Sequence, residues 1–280
     1  MAISINTNMA ATRASQFLAS NHANLQKSLD RLSSGKRITQ PADDAGGLAV
    51  AMKLNHSING LRGASSNISN AISFLQVQDG ILQSAGDIVS RIGELKGMYS
   101  DVTKQQSDKD LYEAEFTDLK NQLTAIAGSE FNGIALFANT TTLRVYLDEN
   151  GSTATSMNLS SPDLVGGTEM ATLMATVGTL NPTPVAPATT EVSQDDITDA
   201  LEEIASLRAT NGGEVRRLQY AQADVETKIS NMTAAHGRIM DVDIAAESSN
   251  LAKQQILVQA AAAMTAQANS SNDVALMLLQ

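Results

Sequence analysis

The chain has 280 residues, no cysteine, no tryptophan and a formal net charge of −11. That charge speaks against a nucleic-acid partner, whose phosphates demand a basic face, and the missing cysteines exclude disulfides and thiolate chemistry. Aromatic side chains make up only 3 %, so the apolar content rests on Ala, Leu, Ile, Val and Met, which suit helices packed closely along their length better than a core built around large pockets.

Residues 1–34 contain neither glycine nor proline and read as one long helix. In it Leu18, Leu25, Leu29 and Leu32 recur at spacings of seven, four and three, the seam of a coiled coil. The first charge is Arg13, so no basic segment precedes an apolar stretch and no cleavable secretory signal is expected.

The segment "LSSGKRITQPADDAGGLAVA", residues 32–51, interrupts this run. A phosphate-binding loop would need a glycine five positions before Gly35 and a Ser or Thr after Lys36, but Asp30 and Arg37 stand there. Asp43 and Asp44 have no histidine or cysteine beside them to complete a metal ligand set. A joint between two helices explains more of these residues. Gly35 can end the first helix in the left-handed conformation, Pro41 biases Gln40 toward an extended one, and Asp43 or Asp44 can cap the helix that follows.

That next helix runs from about Asp44 to Tyr99, on the order of 80 Å if unbroken. Leu61, Ile68, Leu75, Leu82 and Val89 recur in it every seven residues, flanked by Ala64, Ala71, Ile72, Ala85 and Ile92. Gly60, Gly63, Gly80 and Gly86 cost about 1 kcal/mol each relative to alanine, so propensity alone predicts breaks. Another helix is expected over 109–127. Asn132-Gly133 and Asn150-Gly151 are hairpin signals. Residues 141–195 hold four of the five prolines, many Ser and Thr, and six acidic residues against one arginine. They read as a short β-containing insert with polar loops, placed outward between two helical halves.

From 196 to 237 the seven-residue comb returns in Ile204, Leu218, Val225, Met232 and, just beyond, Ile239, with Ile197, Leu201, Val215 and Ile229 beside it. The two combs are suited to lie against each other. Residues 238–280 again lack glycine and proline and hold ten alanines. Leu251, Ile256, Leu257, Ala260, Met264 and Ala268 form a broad face with almost no charge after Lys253, a surface that would aggregate without a partner. No apolar run approaches the roughly 18 residues of a membrane span, so no membrane insertion is expected. His22, His56 and His236 fall on separate segments, no HExxH or GxSxG is present, and "DAGGLA" follows a turn rather than a strand. No catalytic, cofactor-binding or metal-ligating residue is expected, and no enzyme.

The N-terminal "INTNMAATRA…LQKSLDRLSSGKRITQPADDAGGLAVA", continuing through "GLRGASSNISNAISFLQVQDGIL", resembles the amino-terminal region of bacterial flagellins. The C-terminal "RIMDVDIAAESSNLAKQQILVQAAAAMTAQANSSNDVALMLLQ" is similar to that family's carboxy-terminal region. The resemblance implies a mainly α protein, a long helical coiled-coil bundle formed by the N- and C-terminal halves with a small β-hairpin-containing insert at the tip. It implies an inner filament core from residues 1–43 and 238–280, a rod from 44–140 and 196–237, and a short variable insert from 141–195. The function it implies is that of an exported structural subunit polymerising into an extracellular filament for swimming, with the hook–filament junction protein of the same family as the alternative.

By the same resemblance Leu18, Leu25, Leu29, Leu32, Leu251, Ile256, Leu257, Met264, Leu276 and Leu278 would serve filament-core assembly. A secretion chaperone would hold the apolar C-terminal helix before export, and the filament cap and hook-junction proteins would be further partners. Arg91, Leu95 and Glu115 match the patch by which the vertebrate Toll-like receptor senses some members. The glycines at 60 and 63 would lie inside a continuous helix after all.

Overall fold

A computed structural model describes residues 8–138, 143–164, 166–174, 179–180 and 192–277, with side chains to 270 apart from those of Thr168, Glu169 and Thr172. Among the described residues six helices carry the architecture: α1 (Met9–Ser34), α2 (Ala45–Tyr99), α3 (Gln106–Ala127), α4 (Thr168–Met174), α5 (Gln194–Met240) and α6 (Ile244–Met277). The described strands are two short antiparallel pairs, β1 (Glu130–Phe131) with β2 (Ile134–Ala135) and β3 (Leu143–Tyr146) with β4 (Ser156–Leu159). Two compact units result, one of residues up to Ile58 and from Ser230 onward, the other Asn59–Ile229.

In the Asn59–Ile229 unit the comb predicted from sequence forms the core. Leu61, Ile68, Leu75, Leu82 and Val89 of α2 are buried, as are Ile197, Ile204, Leu218 and Val225 of α5. The breaks expected at the glycines do not occur: α2 is one helix of 55 residues. Burial of a continuous apolar stripe outweighs about 1 kcal/mol per glycine. Gly60 has a further reason to lack a side chain, because a Cβ there would meet Glu149, in the loop joining β3 to β4.

Both hairpin signals are used. Asn132 and Gly133 take positive φ of 52° and 77°, the pair a two-residue turn of this hand requires. The second hairpin turns through a longer loop, with Gly151 at φ 62° and Thr153–Thr155 as one 3-10 turn. Its inward residues alternate as Val145 opposite Met157 and Leu143 opposite Leu159.

The chain after β4 is less polar in effect than its composition. Leu164, Met170, Leu173, Leu180 and Val192 are buried. Carboxylates on the long helices hold their backbone: Glu214 accepts from the Ser160 N–H at 3.1 Å, Glu203 from Met170 at 3.0 Å, and Glu113 from Leu180 at 2.9 Å. Lys96 completes the last clasp by donating to the Leu180 carbonyl at 3.2 Å.

Candidate functional site

The terminal helices α1 and α6 pack antiparallel. Asn8 caps α1 by accepting from the N–H groups of Ala10 and Ala11, and its amide donates to the Ala268 carbonyl at 2.8 Å. Further along, the Asn21 amide reaches the Leu257 carbonyl at 3.4 Å and Asn250 donates to Ser28 Oγ at 3.4 Å. The least exposed positions recur in steps of four and three: Ala14, Leu18, Asn21, Leu25, Ser28 and Leu32 on α1, Leu251, Gln254, Val258, Ala261, Thr265 and Ala268 on α6.

This seam is narrower and more polar than the leucine spacing suggests. Leu18, Leu25, Leu32 and Leu251 lie in it, half-buried, whereas Leu29 is 41 % exposed, Ile256 66 % and Met264 64 %, with Leu257 also on the outside. Phe17, which the leucine pattern passes over, is 66 % exposed. Within the seam Ser28 and Glu247 are buried, and Arg31 stands 3.7 Å from Glu247. Four leucines and Val258 thus share the seam with small and polar side chains, while Phe17, Leu29, Ile256, Leu257 and Met264 are left outside within one chain. Leu276 belongs to α6 but its side chain lies outside the described residues, and so does Leu278.

The segment after α1 is a joint. Gly35 ends α1 at φ 68°, in the left-handed conformation. The two aspartates then divide the work. Asp44 accepts from the Gly47 N–H at 2.8 Å at the start of α2. Asp43 accepts from the N–H groups of Thr39 and Gln40 and from the Thr39 hydroxyl, and pairs with Lys27 at 2.6 Å. The Lys27 ammonium, seconded by these backbone donors, holds the Asp43 carboxyl well below the usual range.

What this joint meets has no local signature, because its partners lie some 200 positions away. The Arg37 N–H donates to the Met240 carbonyl at 2.6 Å, Val242 donates to Gly35 at 3.1 Å, and the Arg37 guanidinium forks onto the Ile239 carbonyl at 2.9 and 3.2 Å. Asp243 caps α6 through Ala245 and Ala246. The α1–α2 and α5–α6 joints are therefore hydrogen-bonded to one another above a small core of Ile38, Ala51 and Met240.

On α2, Arg91 pairs with Glu94 at 2.7 Å and with Glu115 of α3 at 2.8 Å, and these two carboxylates raise its pKa. Leu95, expected beside them on a surface patch, is fully buried. It is one turn beyond Arg91 on the face that α2 turns to the bundle. Only the charged pair of the three-residue patch is presented to solvent.

Among the described residues no helix is long and apolar enough to cross a membrane, and no three His, Cys, Asp or Glu side chains cluster as a metal site.

A family model described as the bacterial flagellin N-terminal helical region matches residues 5–142, and one described as the bacterial flagellin C-terminal helical region matches residues 195–279. The chain is 33 % identical over 293 residues to the flagellar filament 33 kDa core protein of Treponema phagedenis, covering 99 % of each chain. It is 32 % identical over 302 residues to the flagellin of Bacillus subtilis (strain 168), again covering 99 % of each. A crystal structure of Bacillus cereus flagellin aligns with a TM-score of 0.48 and 26 % identity, over 61 % of this chain and 94 % of that one.

Proposed function

The chain belongs to the bacterial flagellin family and is a structural subunit that polymerises into the flagellar filament, and we propose that its outward-facing terminal residues are what joins one subunit to the next. The observation that carries this reading is the sorting of side chains on α1 and α6. Phe17, Leu29, Ile256, Leu257 and Met264 are large, apolar and left uncovered within one chain, and covering them against neighbouring copies supplies a hydrophobic driving force. Leu18, Leu25, Leu32 and Leu251 act one step earlier by holding the helix pair together.

In this reading residues 1–43 and 238–280 form the inner core of the filament, 44–140 and 196–237 the surrounding bundle, and 141–195 the outer insert. Seeded polymerisation tests it. Leu257→Asp or Met264→Asp should leave helix content unchanged by circular dichroism and abolish elongation of filament fragments in light scattering. Elongation at the wild-type rate by either variant would sink it.

The same apolar run, Leu251 to Leu278, suits a secretion chaperone before export, with the cap and hook-junction proteins met at the filament's ends. For the vertebrate Toll-like receptor Arg91 of α2 and Glu115 of α3 are the surface contacts, with Leu95 supporting α2 from beneath. We place the filament outside the cell: mechanical shearing of intact cells should release the chain into the supernatant, and a chain retained with the sheared cells would overturn this.

A further inference from the structure

Two of the three histidines in the chain line a single pocket of about 390 Å³ together with two methionines. Met52 and His56 stand four residues apart on α2, and His236 and Met240 four apart on α5. On a helix that spacing puts both side chains on one face, with Cβ atoms about 5–6 Å apart. Each helix therefore contributes one imidazole and one thioether. Met240 is almost wholly buried, on the apolar floor with Ala51, while Met52 is 66 % exposed, a flexible arm at the rim. Neither histidine makes a hydrogen bond or ion pair among the described residues, so their ring nitrogens are uncommitted.

The chemistry of the lining selects the ligand. No carboxylate lines the pocket, and Lys36 does. A hard divalent ion would meet a like charge with no anionic donor to offset it. A soft monovalent ion meets half that repulsion and finds thioether sulfur, the donor that favours copper(I), alongside imidazole, which also suits copper. We propose that Met52, His56, His236 and Met240 form a binding site for a soft monovalent metal ion of the copper(I) class, cross-linking α2 to α5 beside the joint.

Silver(I) is the probe, as a redox-inert ion of the same class, applied by equilibrium dialysis to reassembled wild-type filaments in chloride-free buffer. The expected result is one tight silver per subunit, with affinity at least tenfold lower in His56→Ala/His236→Ala and in Met52→Leu/Met240→Leu, unchanged in His22→Ala, and with nitrogen and sulfur neighbours in X-ray absorption. Should the alanine pair fail to sediment as filaments, His56→Gln/His236→Gln replaces it. Wild-type affinity in the histidine double variants or in the methionine double variant overturns the site, and so does zinc(II) binding as tightly as silver(I).

Discussion

A Cβ built on Gly60 would lie 2.7 Å from the Cβ of Glu149 and 2.9 Å from its carbonyl oxygen, whereas one on Gly63 would meet nothing within 4 Å. The two glycines look alike in sequence, both helix-weakening, yet only one is needed by its surroundings. Gly63→Ala should raise the unfolding free energy by up to about 1 kcal/mol through helix propensity. Gly60→Ala should instead lower it by about 1–3 kcal/mol, because the clash is with backbone that cannot swing away as a side chain does. Urea denaturation followed by far-UV circular dichroism checks both; equal stabilisation by the two would show that the loop is not seated on α2. At the joint the residue-level reading fared better. The left-handed glycine and an aspartate cap are properties of four or five neighbouring residues, so they were legible; Asp43's bond to Lys27, sixteen positions away, was not.

The long helices were legible because a seven-residue apolar comb records which face is buried, and Leu61 to Val89 are indeed the floor of the bundle. The comb on α5 has a gap. Asn211 occupies the position between Ile204 and Leu218, buried, and donates to the Leu75 carbonyl at 3.0 Å and to Gln78 Oε1 at 3.2 Å. Gln78, buried between Ala71 and Ala85 on the second column of α2, passes the chain on to the Leu136 carbonyl at 2.8 Å. A scan for apolar residues passes over both. Polar groups at such positions fix helix register at some cost in stability. Gln78→Ala should destabilise by about 2–4 kcal/mol, from a cavity and stranded partners together. Gln78→Leu/Asn211→Leu should recover most of this while broadening the amide spectrum of α5; a spectrum as sharp as wild type would remove the register role. The terminal pair shows the limit of the comb: α6 carries apolar and small residues on both faces, so spacing could not tell the seam from the outer face, and Leu29, Ile256 and Met264 fell on the latter.

Across the whole molecule, what the sequence concealed is how distant segments are tied. The buried residues of the insert are scattered singly among Ser, Thr and Pro, so no period announces them, and the carboxylates that hold their backbone belong to other elements. Burial lifts the pKa of Glu113 and Glu214 above the ordinary value of 4.5, against the pull of the N–H groups they accept. A raised native pKa means stability that is full below 4.5 and lost as pH rises through the native value. Between pH 4.5 and 7 the denaturation midpoint of Glu113→Gln/Glu214→Gln should therefore fall less with rising pH than that of wild type; parallel profiles would show that neither group titrates differently on folding. The pairing of α1 with α6 sets a condition on time as well. Ser28 and Asn250 are 222 positions apart in the chain. A ribosome adding about 5–20 residues per second therefore leaves the first helix without its mate for roughly ten seconds or longer. Pairing across so long a separation is slow compared with contacts between neighbouring segments. Until then the nascent chain carries its first adhesive end unpaired, and whatever meets it first competes with the fold itself.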